Sequence, residues 1–558
     1  MNWMIQESDR EVIAKLEKEL GLGPLIALLL SNRKIQDIKE AEIFLKAQMC
    51  HLRTADSLKG VKEAVKRIKK AKDKKEKVFI FGDYDVDGIC ACALLSSTLG
   101  KLGLKTISYL PHRVEEGYGI NMKALEAVRK AKAKLFISVD CGITSFKEID
   151  KLRKFKIDSI IIDHHEPKTT GLPKANVIIN PKSQGEDFFY DLTAVGLVFK
   201  LCQALLGAAA DEDLDLVALG TICDVASLLG ENRILVKEGL KKLDESKRAG
   251  ILALKEVAGI KDKPVSVGLV GFVLGPRLNA MGRIDSALSS LRLLTTDDLD
   301  EAKLLAKSLD ETNRRRQKIE EKILQEALIK IEREVNFKEH SIIVVGGIDW
   351  HPGVVGIVAA KLADKYWRPT FVLGLEKDVY RGSGRSVNNF HLFEALSECD
   401  SLLETYGGHR AAAGLTVQKD NLEKFKTHIN AVAKKRVDLK DLVPILKIDA
   451  QVPLSTWQDL TVLEEVENLA PFGVGNQRPV FCSRNLFLKS TPSCVGRNTL
   501  RLWVSDGTLT VKAIGFGMAD YAALLKEGSK VDLAYCVSLD TWQEPTVQLE
   551  IKDLKLQN

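Results

Sequence analysis

The spacing of apolar positions changes character several times along this chain. Residues up to about Ser57 read as helices that carry no chemical motif. From Lys77 onward, continuous apolar runs of strand length appear. "KVFIFGD" is the first, and "GICACALLSSTLG" behind it has the texture of a buried helix. "AKLFISVD" ends at Asp140, "SIIIDHH" ends at Asp163, His164 and His165, and "ANVIIN" is stopped by Pro181. Uninterrupted apolar strands alternating with helical segments predict a parallel sheet covered on both faces. A further helical region includes residues 211–228.

Residues 298–335 are helical in pattern, charged, and free of Gly and Pro, which predicts one long connector helix or a pair of helices. A second α/β unit follows. It is built from the strand "SIIVVGG", the helix "GVVGIVAAKLADKY" and the strand "RPTFVLG", carries three Gly-rich turns, and ends near Lys435. After about Val443, short alternating segments such as "TLRLWVSDG", "LTVKAIGFG" and "TVQLEIKDL" predict a small antiparallel barrel or sandwich. No internal repeat or low-complexity tract interrupts this order.

Composition narrows the class. A chain of 558 residues calls for about two to four domains. At 45% hydrophobic and 28% charged residues it has the profile of a soluble globular protein. The longest apolar run, near Leu25 to Leu30, is far too short to span a bilayer. Residues 1–10 lack a basic region followed by an apolar core, so no membrane and a cytoplasmic location are expected. The ten cysteines show no CxxC pair, and most of them read as reduced buried thiols. The net charge of +6 permits an anionic partner without requiring one. "VKRIKKAKDKKEK" (Val65 to Lys77) is the most basic stretch. With Val61, Val65, Ile68 and Ala71 at helical spacing, it reads as a solvated helix face rather than a nucleic-acid contact.

The candidate chemistry lies where the strands end. In an open parallel sheet, ligands bind beyond the carboxyl ends of the strands. Asp83, Asp85 and Asp87, then Asp140, then Asp163, His164 and His165 all fall there, and Asp224 closes an apolar helix that can reach the same place. Any one of them alone reads as a turn former or helix cap. Together, so many acids without counter-charge call for a cation. Carboxylates with imidazole and no thiolate suit Mn²⁺ or Mg²⁺, with donors enough for two ions and one bridging carboxylate.

Four motifs in order, "GDYDVDG" (Gly82–Gly88), "VDCG" (Val139–Gly142), "DHH" (Asp163–His165) and "GTICDVASL" (Gly220–Leu228), resemble those of the DHH phosphoesterase superfamily. "GPRLNAMGRID" (Gly275–Asp285), "GSGRS" (Gly382–Ser386), "GGHRAAAG" (Gly407–Gly414) and "LAPFGVGNQRPVF" (Leu469–Phe481) narrow the resemblance to the bacterial RecJ family of single-strand-specific DNA exonucleases. It runs from about Ala55 to the C-terminus.

The resemblance implies an α/β protein. A parallel-sheet DHH domain (58–297) and a smaller DHHA1 domain (336–440) are joined by a long helix (298–335). An N-terminal helical segment (1–57) precedes them and a β-barrel OB-fold (441–558) follows. It further implies a metal-dependent 5′→3′ exonuclease of recombination and repair. Such an enzyme acts on single-stranded DNA as a monomer, alongside single-strand binding protein and a helicase. Carried over by motif, Asp85, Asp87, Asp140, His164 and Asp224 are metal ligands, with Asp140 the bridge. Asp83 is a ligand or an orienting partner. His165 touches the scissile phosphate or helps protonate the leaving oxygen, and Arg283 joins the catalytic set. Phe81 stands where some members of the superfamily have a ligating histidine, and Cys223, Ala226 and Ser227 flank Asp224 where small or aliphatic residues are usual.

For phosphate binding, Arg277, Asn279 and Arg283 lie in one motif, and Ser383, Arg385 and Ser386 lie in an expected flexible turn whose amides form an anion nest. His409 is expected just before a small-residue helix whose N-terminus favours phosphate. His351 either faces the cleft or caps a helix, and "NRRRQ" (Asn313–Gln317) either lines the DNA path or is a solvated face. Of the barrel aromatics Phe487, Trp503, Phe516, Tyr535 and Trp542, most read as core, because they alternate with polar residues. Two other classes share parts of the pattern: a small-molecule or oligonucleotide DHH phosphoesterase, which generally lacks the barrel, and a non-catalytic single-strand-binding relative.

Overall fold

The computed structural model describes residues 1–113, 115–185, 187–387, 390–436, 442–496, 498–540 and 546–557. Two compact units result, one of residues 54–224 and 239–444, the other of residues 1–53, 225–238 and 445–558.

The first unit holds two sheets. One is five-stranded and all-parallel, ordered Thr106–Tyr109, Val78–Gly82, Leu135–Val139, Asp158–Ile162, Val177–Ile179. The four expected strands are present. The fifth, Thr106–Tyr109, escapes pattern reading because it is an edge strand with a half-polar sequence, TISY, and an outward-facing Ile107. The helix Val86–Lys101 is apolar nearly all round and accordingly buried, beneath the helices Ala194–Leu206 and Leu214–Cys223. Residues 298–335 form one helix, Leu299–Glu334, whose first turn is capped by the Asp298 carboxylate. Ala302, Ala306 and Leu309 bury its first half, and Ile323, Ala327 and Ile331 pack its second half on the other sheet.

That second sheet is mixed, ordered Thr405–Gly408, Ala412–Gln418, Val379–Arg385, Thr370–Glu376, Ile343–Ile348, with only the last two strands parallel to each other. Two expectations are corrected here. "GSGRS" is not a flexible turn, because Gly382 to Arg385 lie within a strand. The small-residue run after His409 is not a helix but the strand Ala412–Gln418, with Ala413, Leu415 and Val417 buried on one side at period two. In the first run neighbours occupy the space of a side chain. A Cβ on Gly384 would stand 2.3 Å from the Phe371 ring, and one on Gly382 2.2 Å from the Val372 carbonyl oxygen.

In the second unit, strands Phe481–Leu488, Lys530–Asp540, Thr546–Leu556, Thr510–Phe516 and Thr499–Ser505 close into a barrel through the pairing of Phe487 with Ser505. The N-terminal residues are not purely helical. Asn2–Ile5 pairs in parallel with Ile445–Ile448, a match across the sequence that local pattern cannot reveal. The helices Arg10–Leu20, Pro24–Asn32 and Ile38–Lys46 bury Leu16, Leu29, Leu30 and Phe44 in one core with the barrel.

The barrel aromatics also depart from expectation. Tyr535 is core, its hydroxyl accepting from Trp457 Nε1 at 2.9 Å. Trp503 and Phe516, by contrast, are 44% and 66% exposed, and Phe487 is half-buried under the Lys489 ammonium. Alternation fixes two faces without saying which is inside. Here Leu500, Leu502 and Val504 take the core and turn Trp503 outward. Trp542 and the expected boundary at 440/441 lie outside the described residues.

Candidate metal centre

The aspartate-rich loop follows directly from the strand Val78–Gly82. Asp85 caps the helix Val86–Lys101, accepting from the Gly88 amide at 3.1 Å. Gly88 is required by close approach, since a Cβ there would stand 2.6 Å from the Asp83 carbonyl oxygen. Asp87 is fully buried and accepts from the amides of Ala194 (2.8 Å) and Val195 (2.9 Å) at the N-terminus of the helix Ala194–Leu206. Asp140 ends its strand in the left-handed region, φ 62°, which turns its buried carboxylate toward the loop. Asp224 sits at the C-terminal cap of Leu214–Cys223.

The DHH motif divides its labour. Asp163 is buried and accepts from the Ile143 amide at 2.9 Å and from His165 Nδ1 at 2.8 Å. It clamps its neighbour rather than joining the cluster. His164 places Nε2 3.2 Å from Asp140 Oδ1 and 3.9 Å from Asp87 Oδ2, with Nδ1 4.0 Å from Asp224 Oδ2. Phe81 is stacked in the core against Tyr109 at 5.8 Å, so no ligand is offered from that position.

Three donor groups emerge: Asp83 with Asp85 and Asp140; Asp87 with His164 and Asp224; and Asp140 with His164 and His165. Asp140 belongs to two of them. Buried polar atoms test whether a cation fits. Asp83 Oδ1, Asp140 Oδ1 and His164 Nε2 are all buried without a hydrogen-bond partner, a costly state unless another ligand completes them. Burial first, then neighbouring carboxylates, hold Asp83, Asp87 and Asp140 well above the usual carboxylate range, and Asp224 is raised for the same reasons. Burial lowers His164, which keeps its imidazole neutral and its lone pairs available. Oxygen donors with a neutral imidazole fit a hard divalent ion.

His165 behaves differently. Burial opposes its proton, yet the hydrogen bond and charge of Asp163 outweigh it and raise the imidazole to about 9. Tyr118 Oη lies 3.3 Å from its Nδ1.

A second wall is cationic. The helix Gly275–Ile284 rests on the aspartate loop at Gly282, where a Cβ would stand 2.5 Å from the Tyr84 carbonyl oxygen. Arg283, next in sequence, donates to the Gly353 carbonyl at 3.3 Å. Burial lowers it to about 10, with the charges of Arg113, Arg316 and Arg385 adding to the effect. Arg385 is lowered by burial and by Arg113, whose guanidinium lies 5.0 Å above the Tyr84 ring. His409 is lowered by burial, with the charges of Arg385 and His165 adding to the effect. Among the described residues no carboxylate ion pair engages Arg113, Arg283 or Arg385. Like charges held together in this way suit an anion.

Other expected phosphate contacts are placed less simply. Arg277 is engaged by Asp310 at 2.9 Å and by the Val273 carbonyl at 2.7 Å. Asn279 is half-buried on the same helix. Ser383 lies on the strand that carries Arg385, whereas Ser386 donates to the Phe390 carbonyl at 2.7 Å and closes its own loop. His351 caps the helix Pro352–Tyr366, accepting from the Gly353 amide at 3.1 Å. "NRRRQ" splits: Arg316 is buried against Asn313 and Glu320, and Arg314 pairs with Asp310.

Sequence reading missed Arg113, Tyr118 and the clamping role of Asp163. The first two follow the edge strand Thr106–Tyr109. Had that strand been recognised, its carboxyl-end loop would have pointed to the same edge.

Similarity to known proteins agrees with this geometry. The DHH family N-terminal domain matches residues 77–221, the DHHA1 domain residues 339–435, and the RecJ OB domain residues 448–553. The single-stranded-DNA-specific exonuclease RecJ of Bacillus subtilis is 36% identical over 99% of this chain and 70% of its own length. That of Escherichia coli is 32% identical over 97% of both. The crystal structure of RecJ from Thermus thermophilus in complex with Mn²⁺ superposes with a TM-score of 0.85 at 28% identity, covering 100% of this chain and 80% of that one. With its motifs, its three domains and its crowded acid–imidazole centre all in the family's order, this chain belongs to the RecJ family.

Proposed function

We propose that this chain is a metal-dependent, single-strand-specific 5′→3′ DNA exonuclease acting in recombination and repair. The observation that carries the reading is the convergence of Asp83 Oδ1, Asp140 Oδ1 and His164 Nε2, buried and uncompleted, in a RecJ-family chain. Asp83, Asp85 and Asp140 would hold one divalent ion and Asp87, His164 and Asp224 the other, with Asp140 bridging. The relatives bound to Mn²⁺ and Mg²⁺ make these the ions of choice. When bound, such ions supply Lewis acidity and lower the pKa of water.

The chain's own residues do the rest. Asp163 fixes the His165 ring through Nδ1 and leaves Nε2 to donate to the scissile phosphate or to the leaving oxygen. Arg113, Arg283 and Arg385 hold strand phosphates opposite the acids, and His409 reaches toward the same space. The 5′→3′ polarity and the pairing with single-strand binding protein and a helicase in the cytoplasm rest on the family resemblance of the motifs.

Labelled single strands supplied with Mn²⁺ test the reading. Mononucleotides should be released progressively from 5′ ends, and a duplex with blunt ends should persist. Release from 3′ ends, or cleavage only of dinucleotides and cyclic dinucleotides, would overturn it.

A further inference from the structure

One aromatic side chain on the helical run that carries Arg283 has no part in the core. Phe272 is 86% exposed, well beyond any other large apolar residue among those described. It sits in a π-helical turn, Val270–Leu274, within a continuous helical run from Val267 to Ile284. Turns of this width are rare, have weaker hydrogen-bond geometry than an α-helix, and recur at functional sites. Leu269, Val273 and Pro276, its neighbours at helical spacing or in sequence along the run, are half-buried apolar residues.

The run is anchored to the residues just before Asp224. A Cβ on Gly275 would stand 2.4 Å from Cys223 Sγ, and one on Gly271 3.9 Å from Ile222 Cγ2. Glycine therefore seats the wide turn against the end of the helix that delivers a candidate metal ligand. Two to three turns further along, the same run delivers Arg283 to the cationic wall. Phe272 thus lies on the turn that is seated against Cys223, the residue before Asp224, and about three turns (~16 Å by helical rise) before Arg283 on the same run.

We infer that Phe272 is a base-stacking platform for the single strand that leads to the metal centre. This subsite would take any nucleobase through its π-face, with no hydrogen-bond readout, as an enzyme that digests strands of any sequence requires. The inference rests on the single-strand reading above. A nucleobase is favoured over a protein partner because the ring is one exposed side chain on the helical run that also carries Arg283, one of the cations proposed above to hold strand phosphates.

Full-length chain with Mn²⁺ provides the test. Phe272→Ala should raise KM for a long single strand about tenfold, with a smaller change in kcat. Phe272→Trp should restore KM, whereas Phe272→Leu, apolar without a π-face, should behave like the alanine variant. Strands carrying consecutive abasic sites should bind the wild type about tenfold more weakly and the alanine variant no more weakly than normal strands do. In an Asp140→Ala background, where the strand is not consumed, 2-aminopurine scanned along the strand should change emission at one position, and that change should vanish with Phe272→Ala.

Full rescue by leucine would indicate a protein-facing apolar contact and overturn the proposal. So would an alanine variant equal to wild type, or a wild type indifferent to abasic sites. Digestion of ordinary strands by the wild type is read separately. A failed stacking test with digestion intact removes the platform alone, and absent digestion removes the underlying reading.

Discussion

The two walls of the site solve opposite electrostatic problems by different structural means. On the acidic wall, Asp83, Asp87, Asp140 and Asp224 are delivered by strand and helix ends of one domain, and their mutual repulsion is built in. On the basic wall, Arg113, Arg283 and Arg385 come from a loop, a helix and a strand far apart in sequence, and their repulsion is built in as well. Neither wall is at rest without a ligand. Under the proposed function one suits a compact cation and the other a phosphate, so the same crowding of like charges would serve two complementary specificities.

The largest expected effect tests the acidic wall. Asp140→Asn keeps the size and tolerates the left-handed backbone. Turnover should fall on the order of 10³-fold while single-strand binding remains measurable. Calorimetry on the metal-free protein should then show a gain of about 1–3 kcal/mol in stability, because one repelling charge is gone. A loss of stability would mean that the acids are not strained against one another.

Next comes the clamp. Asp163→Asn leaves one oxygen where two served Ile143 and His165. It should lower kcat about 10–100-fold with metal affinity, read by isothermal titration, changed far less. Equal loss in both would place Asp163 among the ligands.

The basic wall should respond in binding rather than in chemistry. Arg385→Ala is expected to raise KM for a single strand about tenfold and to flatten the salt dependence of binding by about one unit of slope. A change in kcat alone would contradict the division between the walls. The smallest effect is expected away from both. Lys66→Gln with Lys70→Gln, on the exposed face of the basic helix Val61–Asp73, should change stability by less than about 0.5 kcal/mol and leave KM within twofold. A strong effect would add a third charged surface to the comparison.

The two walls also differ in how legible they are. The acidic wall could be read because its residues end apolar strands, and a strand's direction dictates where its last residue lies. That rule placed Asp83, Asp140 and His164 correctly at one sheet edge. It failed only for the half-polar edge strand Thr106–Tyr109, and Arg113 was lost with it. The basic wall is assembled by tertiary contact. Gly382–Arg385 and Ala412–Gln418 look like turn and helix because glycine and alanine are abundant there, yet Gly382 and Gly384 are dictated by a carbonyl and a ring pressed against their strand. Nothing local records such neighbours. For the same reason Arg277, conspicuous beside Arg283 in the sequence, proved to be held by Asp310 on the connector helix.

The helix Gly275–Ile284 touches the aspartate loop at Gly282 and the helix of the second sheet at Gly353, where a Cβ would stand 2.4 Å from the Arg283 carbonyl oxygen. At both points main chain meets main chain with no side chain between. The clearances from the aspartate loop to this helix, and from this helix to Pro352–Tyr366, are therefore set by main-chain contact that no rotamer can alter, so the elements bearing the two walls meet on a rigid footing.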